Sequence, residues 1–330
     1  MKPTQATIKD IARELGIAPS TVSRALHDHP AISIETKKQV LECAQRLDYQ
    51  PNLIAFNLKK RQSNTVGIVV PDLAHHYFAA IISGVQEVLY KNGYNLLICQ
   101  SNEDAAREAA VIETLLSNRI DGLLVSVAKT TKDSSHFKKV LSRNMPLVFF
   151  DRTFNELDTE VPGVWVNDAW GAKTAVKQLI EKGCKRIASI VAPLSLNIGR
   201  ERLRGFKEAL EEANLPYDPT LVFETDLTVD DAQRISQTIF SLKPAVDAVF
   251  IASGISTKTF ITEAMRQSKK LKICGFMNDL YPGHVEKDII RVVTPTMDMG
   301  RTAAKTLLDL INDTNNEPKS TMLQPSIRVE

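Results

Sequence analysis

The chain has 330 residues, enough for about two ordinary domains and a small additional one. Its composition, 43% hydrophobic and 24% charged, predicts a soluble globular protein, with neither a membrane span of roughly 20 apolar residues nor the apolar segment of a secretory signal. The net charge of +2 excludes a strong overall affinity for polyanions, but residues 1–62 hold ten Lys/Arg against six Asp/Glu, a local excess that favours contact with a phosphate backbone.

Three short helices are predicted within residues 1–50. Thr7 is a hydroxyl N-cap for the first helix, Asp10 lies near the positive end of its dipole, and Gly16 ends it. Pro19 is placed to begin a second helix, and Ser33 to cap a third. The positions predicted to face inward are Ile8, Ile11, Ala12 and Leu15, then Val22, Ala25 and Leu26, then Val40, Leu41, Ala44 and Leu47.

Two helices joined by a tight glycine turn, with a third closing the core, predict a helix-turn-helix whose second helix enters the DNA major groove. The outer face of that helix carries short hydroxyl groups and one cation: Ser20, Thr21, Ser23 and Arg24. Such side chains suit phosphates and base edges. The alternative is a three-helix domain without a role on DNA. A polar connector, residues 51–63, follows.

From Thr65 onward, strands and helices alternate. The runs TVGIVV, NLLICQ, GLLVSV and PLVFF are typical of strands buried on both faces. A second series of strands is predicted at RIASIV, LVFET, AVFIA and KICGF. Predicted helices between them include 78–92, 169–182 and 200–213, and Thr228 with Asp231 predicts the start of another. Two series of four or five strands predict two Rossmann-like lobes with parallel sheets, and a ligand site in the cleft between them.

The stretch TIKDIARELGIAPSTVSRAL, followed by Tyr49-Gln50-Pro51-Asn52 and Ala55…Leu58, resembles the LacI/GalR family of bacterial transcription regulators. Further similar stretches are PDLAHHYFAAIISGV, NRIDGLLVS, PLVFFDR and RLRGFKEAL. The resemblance implies a sequence-specific DNA-binding repressor, a homodimer on a near-palindromic operator, controlled by a sugar or sugar derivative bound between two lobes. It implies no enzymatic activity and no cofactor.

The fold class implied is a helix-turn-helix head plus an α/β core of two lobes like those of periplasmic binding proteins. We expect a DNA-binding domain at 1–50, a hinge helix and linker at 51–63, and an effector-binding and dimerisation domain at 64–330. Within that domain, lobe 1 is expected to comprise about 64–163 and 291–317, and lobe 2 about 164–290 and 318–330.

For DNA binding, the resemblance places Pro19, Ser20 and Arg24 against bases, with Arg24 able to make a bidentate contact to guanine. The positions that match phosphate contacts are Thr7, Thr21, Ser23, Ser33 and Tyr49. Ala18 stands where a hydroxyl is usual. In the hinge, residues 52–59, the matching positions are Asn52, Ala55 and Leu58, and Leu58 matches a leucine wedged into the central base step. An ordinary apolar linker residue is the alternative for Leu58.

For the effector, Arg202 matches an arginine that holds the ligand, and Asp151 an acceptor for its hydroxyls. Tyr77 and Phe78 are placed to cover an apolar ligand face, and Asn167 and Asn197 are further polar candidates. Salt bridges at the surface or between the lobes are the alternative for Asp151 and Arg202. Two common hydroxyl-binding positions are altered, to Ser253-Gly254 and to Met277, which disfavours a simple hexose.

Other classes of function have less support. No G-x-G-x-x-G, P-loop, G-x-S-x-G or H-E-x-x-H motif indicates an enzyme. The four cysteines form no C-x-x-C pair and His75-His76 lack a third ligand, so no metal site is predicted. A secreted binding protein is disfavoured by the N-terminal motif and the missing signal, and we expect a cytoplasmic protein, associated with the nucleoid when bound to DNA. A regulator of the same fold, controlled by a phosphocarrier protein, remains an alternative.

Overall fold

A computed structural model describes residues 6–49, 62–74, 76–154, 156–278, 289–312 and 319–329. The chain divides into two compact units, Met1–Ser63 and Asn64–Glu330, called here the head and the core. The predicted hinge positions Asn52, Ala55 and Leu58 lie outside the described residues, as does His75. Within the described part of the chain, no helix combines the length and apolar character that crossing a bilayer requires.

The head contains helices α1 (Ile8–Leu15), α2 (Pro19–Leu26) and α3 (Ile34–Arg46). Thr7 caps α1: its backbone N–H and its hydroxyl both donate to the Asp10 carboxylate, at 2.9 and 2.6 Å. Gly16 ends α1 with φ of 65°, a left-handed conformation that glycine adopts without strain. The Ser33 hydroxyl accepts from the Thr36 N–H and so begins α3. Gly16 therefore sets the turn between α1 and α2, and Ser33 sets the start of α3.

The three helices share one apolar core, made of Ile11, Ala12, Val22, Ala25, Val40, Cys43 and Ala44. The prediction that Leu41 faces inward is wrong, because its side chain is 54% exposed. The buried positions of α3 recur every three or four residues from Val40 through Cys43 and Ala44, and Leu41 lies about 100° round the helix from Val40. This apolar core of the head fixes which face of α2 remains exposed.

The core unit alternates strands and helices. Its first part runs through β1 (Thr65–Val70), α4 (His76–Lys91), β2 (Asn95–Gln100), α5 (Ala105–Ser117), β3 (Gly122–Val125), α6 (Ser135–Ser142), β4 (Leu147–Phe150) and β5 (Gly163–Val166). The second part runs through α7 (Asp168–Glu181), β6 (Ile187–Val191), α8 (Asn197–Glu212), β7 (Val222–Glu224), α9 (Val229–Phe240), β8 (Ala248–Ile251), α10 (Gly254–Arg266), β9 (Lys272–Phe276) and β10 (Ile289–Val293). It ends with α11 (Thr296–Asn312), β11 (Thr321–Leu323) and β12 (Ser326–Val329).

Two sheets organise the two lobes, with strand orders β11-β5-β4-β3-β1-β2 and β12-β10-β9-β8-β6-β7. Neighbouring strands are parallel except β12, which runs antiparallel to β10. In the described residues the chain passes between lobes after β5, after β10 and after β11. These crossings differ by a few residues from the predicted ones. Strand β5 pairs with β4 in the first lobe, β10 pairs with β9 in the second up to Val292, and β11 pairs with β5 in the first. Residues 164–166, 291–293 and 321–323 therefore exchange lobes relative to the prediction.

The interpretation of NLLICQ as a strand buried on both faces is also wrong. It forms β2, an edge strand, and the side chains of Leu97 and Ile98 are 39% and 45% exposed. The apolar face of α4, by contrast, is buried inside the first lobe, where it packs against α11. A Cβ on Gly84 of α4 would lie 2.2 Å from the Met297 carbonyl oxygen, so this helix pair needs glycine there.

Candidate functional site

The outer face of α2 is a candidate nucleic-acid interface. Pro19, Ser20 and Arg24 are exposed, and Thr21 and Ser23 are partly exposed. Pro19 starts α2 behind Ala18, which offers no side-chain cap. The head therefore presents a hydroxylated helix start with Arg24 in the last turn, the arrangement that the sequence predicted for this face.

Three further predicted phosphate contacts lie outside α2. Thr7 and Ser33 are exposed and cap their own helices, so each hydroxyl lies at a helix N-terminus, where the dipole favours an anion. Tyr49 is partly buried and packs against the head core. Hydrogen bonding from Thr7 lowers the pKa of Asp10, which keeps a negative charge beside Thr7. A phosphate bound at Thr7 would therefore lie close to a second negative charge, the Asp10 carboxylate.

The core contains a cleft of about 700 Å³ that both lobes line. Four of the six residues predicted to bind a ligand line it: Tyr77, Phe78, Asp151 and Arg202. The first lobe also contributes His76, Gln100, Asn102, Glu103, Lys129 and Arg152, and the second lobe Ile198, Leu227, Thr228, Val229, Ser253, Ile255, Lys258, Phe276, Met277 and Asn278. The cleft lies beyond the carboxyl ends of the strands, as expected for parallel sheets.

Arg202 projects from α8 and is held on three sides. Its Nε donates to Asp168 Oδ1 at 2.8 Å, one Nη donates to the Ala252 carbonyl at 2.6 Å, and the guanidinium lies 3.7 Å above the centre of the Phe276 ring. Burial raises the pKa of Asp168 to about 6 against the opposing effect of Arg202, and the charge of Asp151 raises it further. No described residue accepts a hydrogen bond from the second Nη, and Arg202 lines the cleft, so this nitrogen is available as a donor.

Asp151 follows β4 directly and is 5% exposed. Its φ of 60° is left-handed, a conformation that turns the chain sharply at the end of the strand. Oδ1 accepts a hydrogen bond from the Tyr77 hydroxyl at 2.6 Å, and Oδ2 lies 3.8 Å from Arg152 Nε. Burial, and then the charge of Asp151, raise the pKa of the Tyr77 phenol well above its usual value, so the phenol remains a donor. Asp151 retains acceptor capacity for a ligand hydroxyl.

The two predicted asparagines do not line the cleft. Asn197 donates through Nδ2 to the Asp151 carbonyl at 3.2 Å and accepts from the Thr153 N–H at 3.2 Å, so its amide joins the two lobes. Asn167 caps α7 by accepting from the Trp170 N–H. Both amides are engaged within the protein in this structure, and both residues lie outside the lining of the cleft, unlike the other four predicted residues.

The structure shows the contacts of the two altered positions, Ser253-Gly254 and Met277, and of Asn278, which follows Met277. Ser253 caps α10, and its hydroxyl donates to that of Ser256 at 2.8 Å. Asn278 uses both ends of its amide on Thr294, donating to the carbonyl at 2.7 Å and accepting from the hydroxyl at 2.7 Å. Met277 is buried and lines the cleft with an apolar side chain. None of these three groups offers the hydroxyl contact that the resemblance led us to look for.

Two cleft contacts were not predicted. Arg152 donates to both oxygens of Glu103 at 2.8 Å, and Lys129, after β3, donates to the Asp226 carbonyl across the lobes at 2.5 Å. Arg152 could have been predicted from the sequence, because it belongs to the PLVFFDR motif. For Lys129 the sequence offers only its position after a strand. Among the described residues, no group of three or more His, Cys, Asp or Glu is arranged to hold a metal ion.

Two family models match the chain. One, described as bacterial regulatory proteins, lacI family, matches residues 7–52. The other, described as periplasmic binding proteins and sugar binding domain of LacI family, matches residues 63–327. The ribose operon repressor of Bacillus subtilis (strain 168) is 29% identical over 311 residues, which are 93% of this chain and 92% of that repressor.

Solved structures are also similar. A complex of the transcriptional regulator CelR with cellobiose is 27% identical, with a TM-score of 0.74, and the match covers 98% of this chain and 99% of the other. The Lac repressor dimer bound to operator and the anti-inducer ONPF has a TM-score of 0.84 at 19% identity, covering 99% and 98%. These likenesses confirm the predicted fold class of a helical head and a two-lobed α/β core.

Proposed function

This chain belongs to the LacI family of bacterial regulatory proteins, and from that premise we propose that it is a sequence-specific DNA-binding repressor controlled by a carbohydrate bound in the cleft. It is a regulator and not an enzyme. The observation that carries the effector site is the arrangement of Arg202 and Asp151: two buried, oppositely charged groups from different lobes line one cleft. A ligand that contacts both will favour one arrangement of the lobes over another.

On DNA, α2 is placed to enter the major groove, with Pro19, Ser20 and Arg24 towards the bases. Arg24 supplies direct readout, because its guanidinium matches the two acceptors of guanine. The phosphate contacts proposed are Thr7, Thr21, Ser23, Ser33 and Tyr49. The exposed hydroxyls of Thr7 and Ser33, each at the start of a helix, support the assignment of these two residues.

The hinge assignment of Asn52, Ala55 and Leu58 rests on family membership. Such a hinge works as a pair, so the protein acts as a homodimer on a near-palindromic operator. Exposed apolar side chains on the edge strand β2, Leu97 and Ile98, support self-association of the core. A DNA-bound regulator works where the chromosome is, in the bacterial cytoplasm and on the nucleoid.

In the cleft, Arg202 and Asp151 hold ligand hydroxyls, and Tyr77 and Phe78 pack on the ligand. Bound ligand acts on DNA affinity only through its differential affinity for the lobe arrangements, which bounds the size of the response. The contacts from Asn197 to the loop after β4 and from Lys129 to Asp226 join the lobes and must adjust when that arrangement changes.

The test uses Arg202→Ala in the full chain. Operator affinity is measured by fluorescence anisotropy with and without ribose, cellobiose and a panel of other mono- and disaccharides. We expect the wild type to respond to at least one sugar, and the variant to bind operator normally and ignore it. Arg204→Ala is the matched control, since Arg204 lies on the same helix with a side chain 55% exposed and pairs with Glu201 and Glu208.

A variant that still responds, with unchanged ligand affinity, would overturn the assignment of Arg202, and Asp151 would then need the same substitution. If no sugar alters operator binding by the wild type, carbohydrate control itself is contradicted. Loss of operator binding in Arg202→Ala alone would show that the arginine acts on the fold rather than on the ligand.

A further inference from the structure

One lysine side chain joins the two lobes across the cleft. Lys129 lies on the loop after β3 in the first lobe, and its ammonium donates to the Asp226 carbonyl of the second lobe at 2.5 Å. This hydrogen bond is called here the cross-lobe link. The carboxylate of Asp226 serves its own loop instead, where it accepts from the N–H and the hydroxyl of Thr228 at 2.8 and 2.6 Å. The cross-lobe link therefore depends on how two loops are held.

Two carboxylates hold the loop that carries Lys129. Glu108 of α5 is fully buried and accepts from the Ala128 N–H and from the Thr131 hydroxyl, each at 2.7 Å. Glu103 accepts from the Lys129 N–H at 2.9 Å. Because a buried carboxylate without its donors is costly, these contacts resist displacement of the loop. The base of the lysine side chain thus has a fixed position in the first lobe.

The acceptor is also held in place, within the second lobe. The Asp226 N–H donates to Asp231 Oδ2 at 3.0 Å, and the N–H of the next residue, Leu227, donates to the Thr225 hydroxyl at 3.2 Å. The Leu227 side chain packs against a buried apolar cluster made of Ala192, Leu196 and Ile198. These contacts on both sides of the Asp226 carbonyl fix the position that Lys129 has to reach.

Unfavourable backbone conformations lie beside both ends of the cross-lobe link. Glu103 has a φ of 58° and Leu227 a φ of 68°, left-handed values that are costly for residues with a Cβ. Such conformations persist only where surrounding contacts impose them, and they accumulate at ligand clamps and switch regions. For Glu103, those contacts include hydrogen bonds of 2.8 Å from Arg152 to both carboxylate oxygens. The two loops are therefore held in a definite geometry that the cross-lobe link spans.

We propose that Lys129 is a positioning residue that holds the lobes together in the absence of ligand and so sets how readily the cleft opens. Its role in the effector response rests on the proposed function. Because the cross-lobe link exists in only one arrangement of the lobes, its loss shifts their equilibrium even when the cleft is empty. The apparent affinity of a ligand that needs the closed lobes falls in proportion to the closed fraction. A residue that only contacted ligand would leave the empty protein unchanged.

The test measures the separation of the lobes in the full-length protein without sugar or DNA. Spin labels at Ala106→Cys of α5 and Gln233→Cys of α9, both exposed positions, report the distance between the lobes by double electron–electron resonance. Cys99→Ser removes the half-buried native thiol, and the other three native cysteines are buried. Labelled protein is diluted with unlabelled protein, so that distances within one chain dominate.

Lys129→Met removes the ammonium and keeps most of the aliphatic chain. We expect the population with longer distances to increase by about threefold to tenfold, the range for loss of one hydrogen bond. Lys129→Arg, which keeps a cation with several donors, should stay within about twofold of the wild type. Lys132→Met is the matched control, because it removes the same charge from an exposed residue of the same loop. This control should leave the distances unchanged.

The same comparison in an Asn197→Ala background makes the measurement more sensitive. The Asn197 amide also joins the lobes, through the Asp151 carbonyl and the Thr153 N–H, so its loss increases the open population from which the change is measured. Lys129→Met should again increase that population relative to its own background. Circular dichroism checks the fold of each variant, and Lys129→Ala is a second variant with the same expected result.

Each outcome decides the proposal. Distances in Lys129→Met that superimpose on those of the parent protein in both backgrounds would overturn it. An equal shift in Lys132→Met would also overturn it, because the loss of loop charge, and not of the cross-lobe link, would then be the cause. The measurement needs neither operator nor sugar. A shift confined to the Lys129 variants, in a protein that binds no operator, would therefore support the cross-lobe link and contradict the proposed function.

Discussion

Asp168→Asn tests the electrostatics beneath Arg202. The Asp168 carboxylate is 4% exposed and accepts the Arg202 Nε–H at 2.8 Å. Asparagine has nearly the same shape and retains an oxygen acceptor, but it has no charge and does not titrate. The variant therefore removes one ionisation and keeps the packing beside the cleft.

The magnitude follows from the pKa. Burial raises the pKa of Asp168 from 3.8 to about 6, so the folded protein holds this proton more tightly than the unfolded chain does. Stability from this group is greatest below the unfolded pKa and is lost as pH rises through the folded one. The whole shift corresponds to about 3 kcal/mol, of which about 2 kcal/mol falls between about pH 4.5 and about pH 7.5.

The assay is urea unfolding of wild type and Asp168→Asn at one protein concentration across that pH range. We expect the free energy of unfolding of the wild type, relative to the variant, to fall by about 2 kcal/mol as pH rises and to level off above about pH 7. Asp158→Asn, which removes an exposed carboxylate, controls for loss of one negative charge. A wild-type-minus-variant difference that stays flat to within about 0.5 kcal/mol across the range would refute the pKa and its cause.

Three predictions concern DNA binding and assembly. Arg24→Ala should cost about 1–3 kcal/mol of operator affinity and relax the preference at one base pair per half-site; a uniform loss over all sequences would make Arg24 a phosphate contact. Leu58→Ala should weaken binding to operator much more than to random duplex, and equal losses in a gel-shift titration would count against the hinge. Residues 64–330 alone should sediment as a dimer at roughly micromolar concentration, whereas a monomer would move dimerisation to the head and hinge.

The elements that the sequence predicted best carry strong local signals. Thr7 and Asp10, Gly16 and Pro19 act within one or two turns of chain, and the structure has the helix boundaries where these residues predict them. The buried strands likewise stand out as short β-branched runs. Local chemistry decides these features, so one sequence suffices to find them.

Features decided by distant parts of the chain were missed. NLLICQ has the composition of a central strand, but only the pairing of the whole sheet makes β2 an edge. β11 and β12 are three and four residues long, and β11 joins β5 across a separation of more than 150 residues, so no local pattern shows which lobe takes it.

At the cleft, the sequence identified candidate residues but not the hydrogen bonds and ion pairs that these residues make within the protein. Asp151 and Arg202 were expected to line the cleft, and they do. That Asp168 neutralises Arg202, and that the amide of Asn197 joins the lobes, depends on side-chain positions brought together from separate elements. The apolar side chain of Met277 was visible in the sequence, whereas its place in the lining of the cleft depends on the fold.

Selection of bound fragments from genomic DNA by the full-length protein tests the central claim most directly. The account predicts enrichment of one near-palindromic sequence, bound at least about 10³-fold tighter than random duplex at the same salt concentration. Enriched fragments without a common sequence, or an advantage below about tenfold over random duplex, would contradict sequence-specific regulation by this protein.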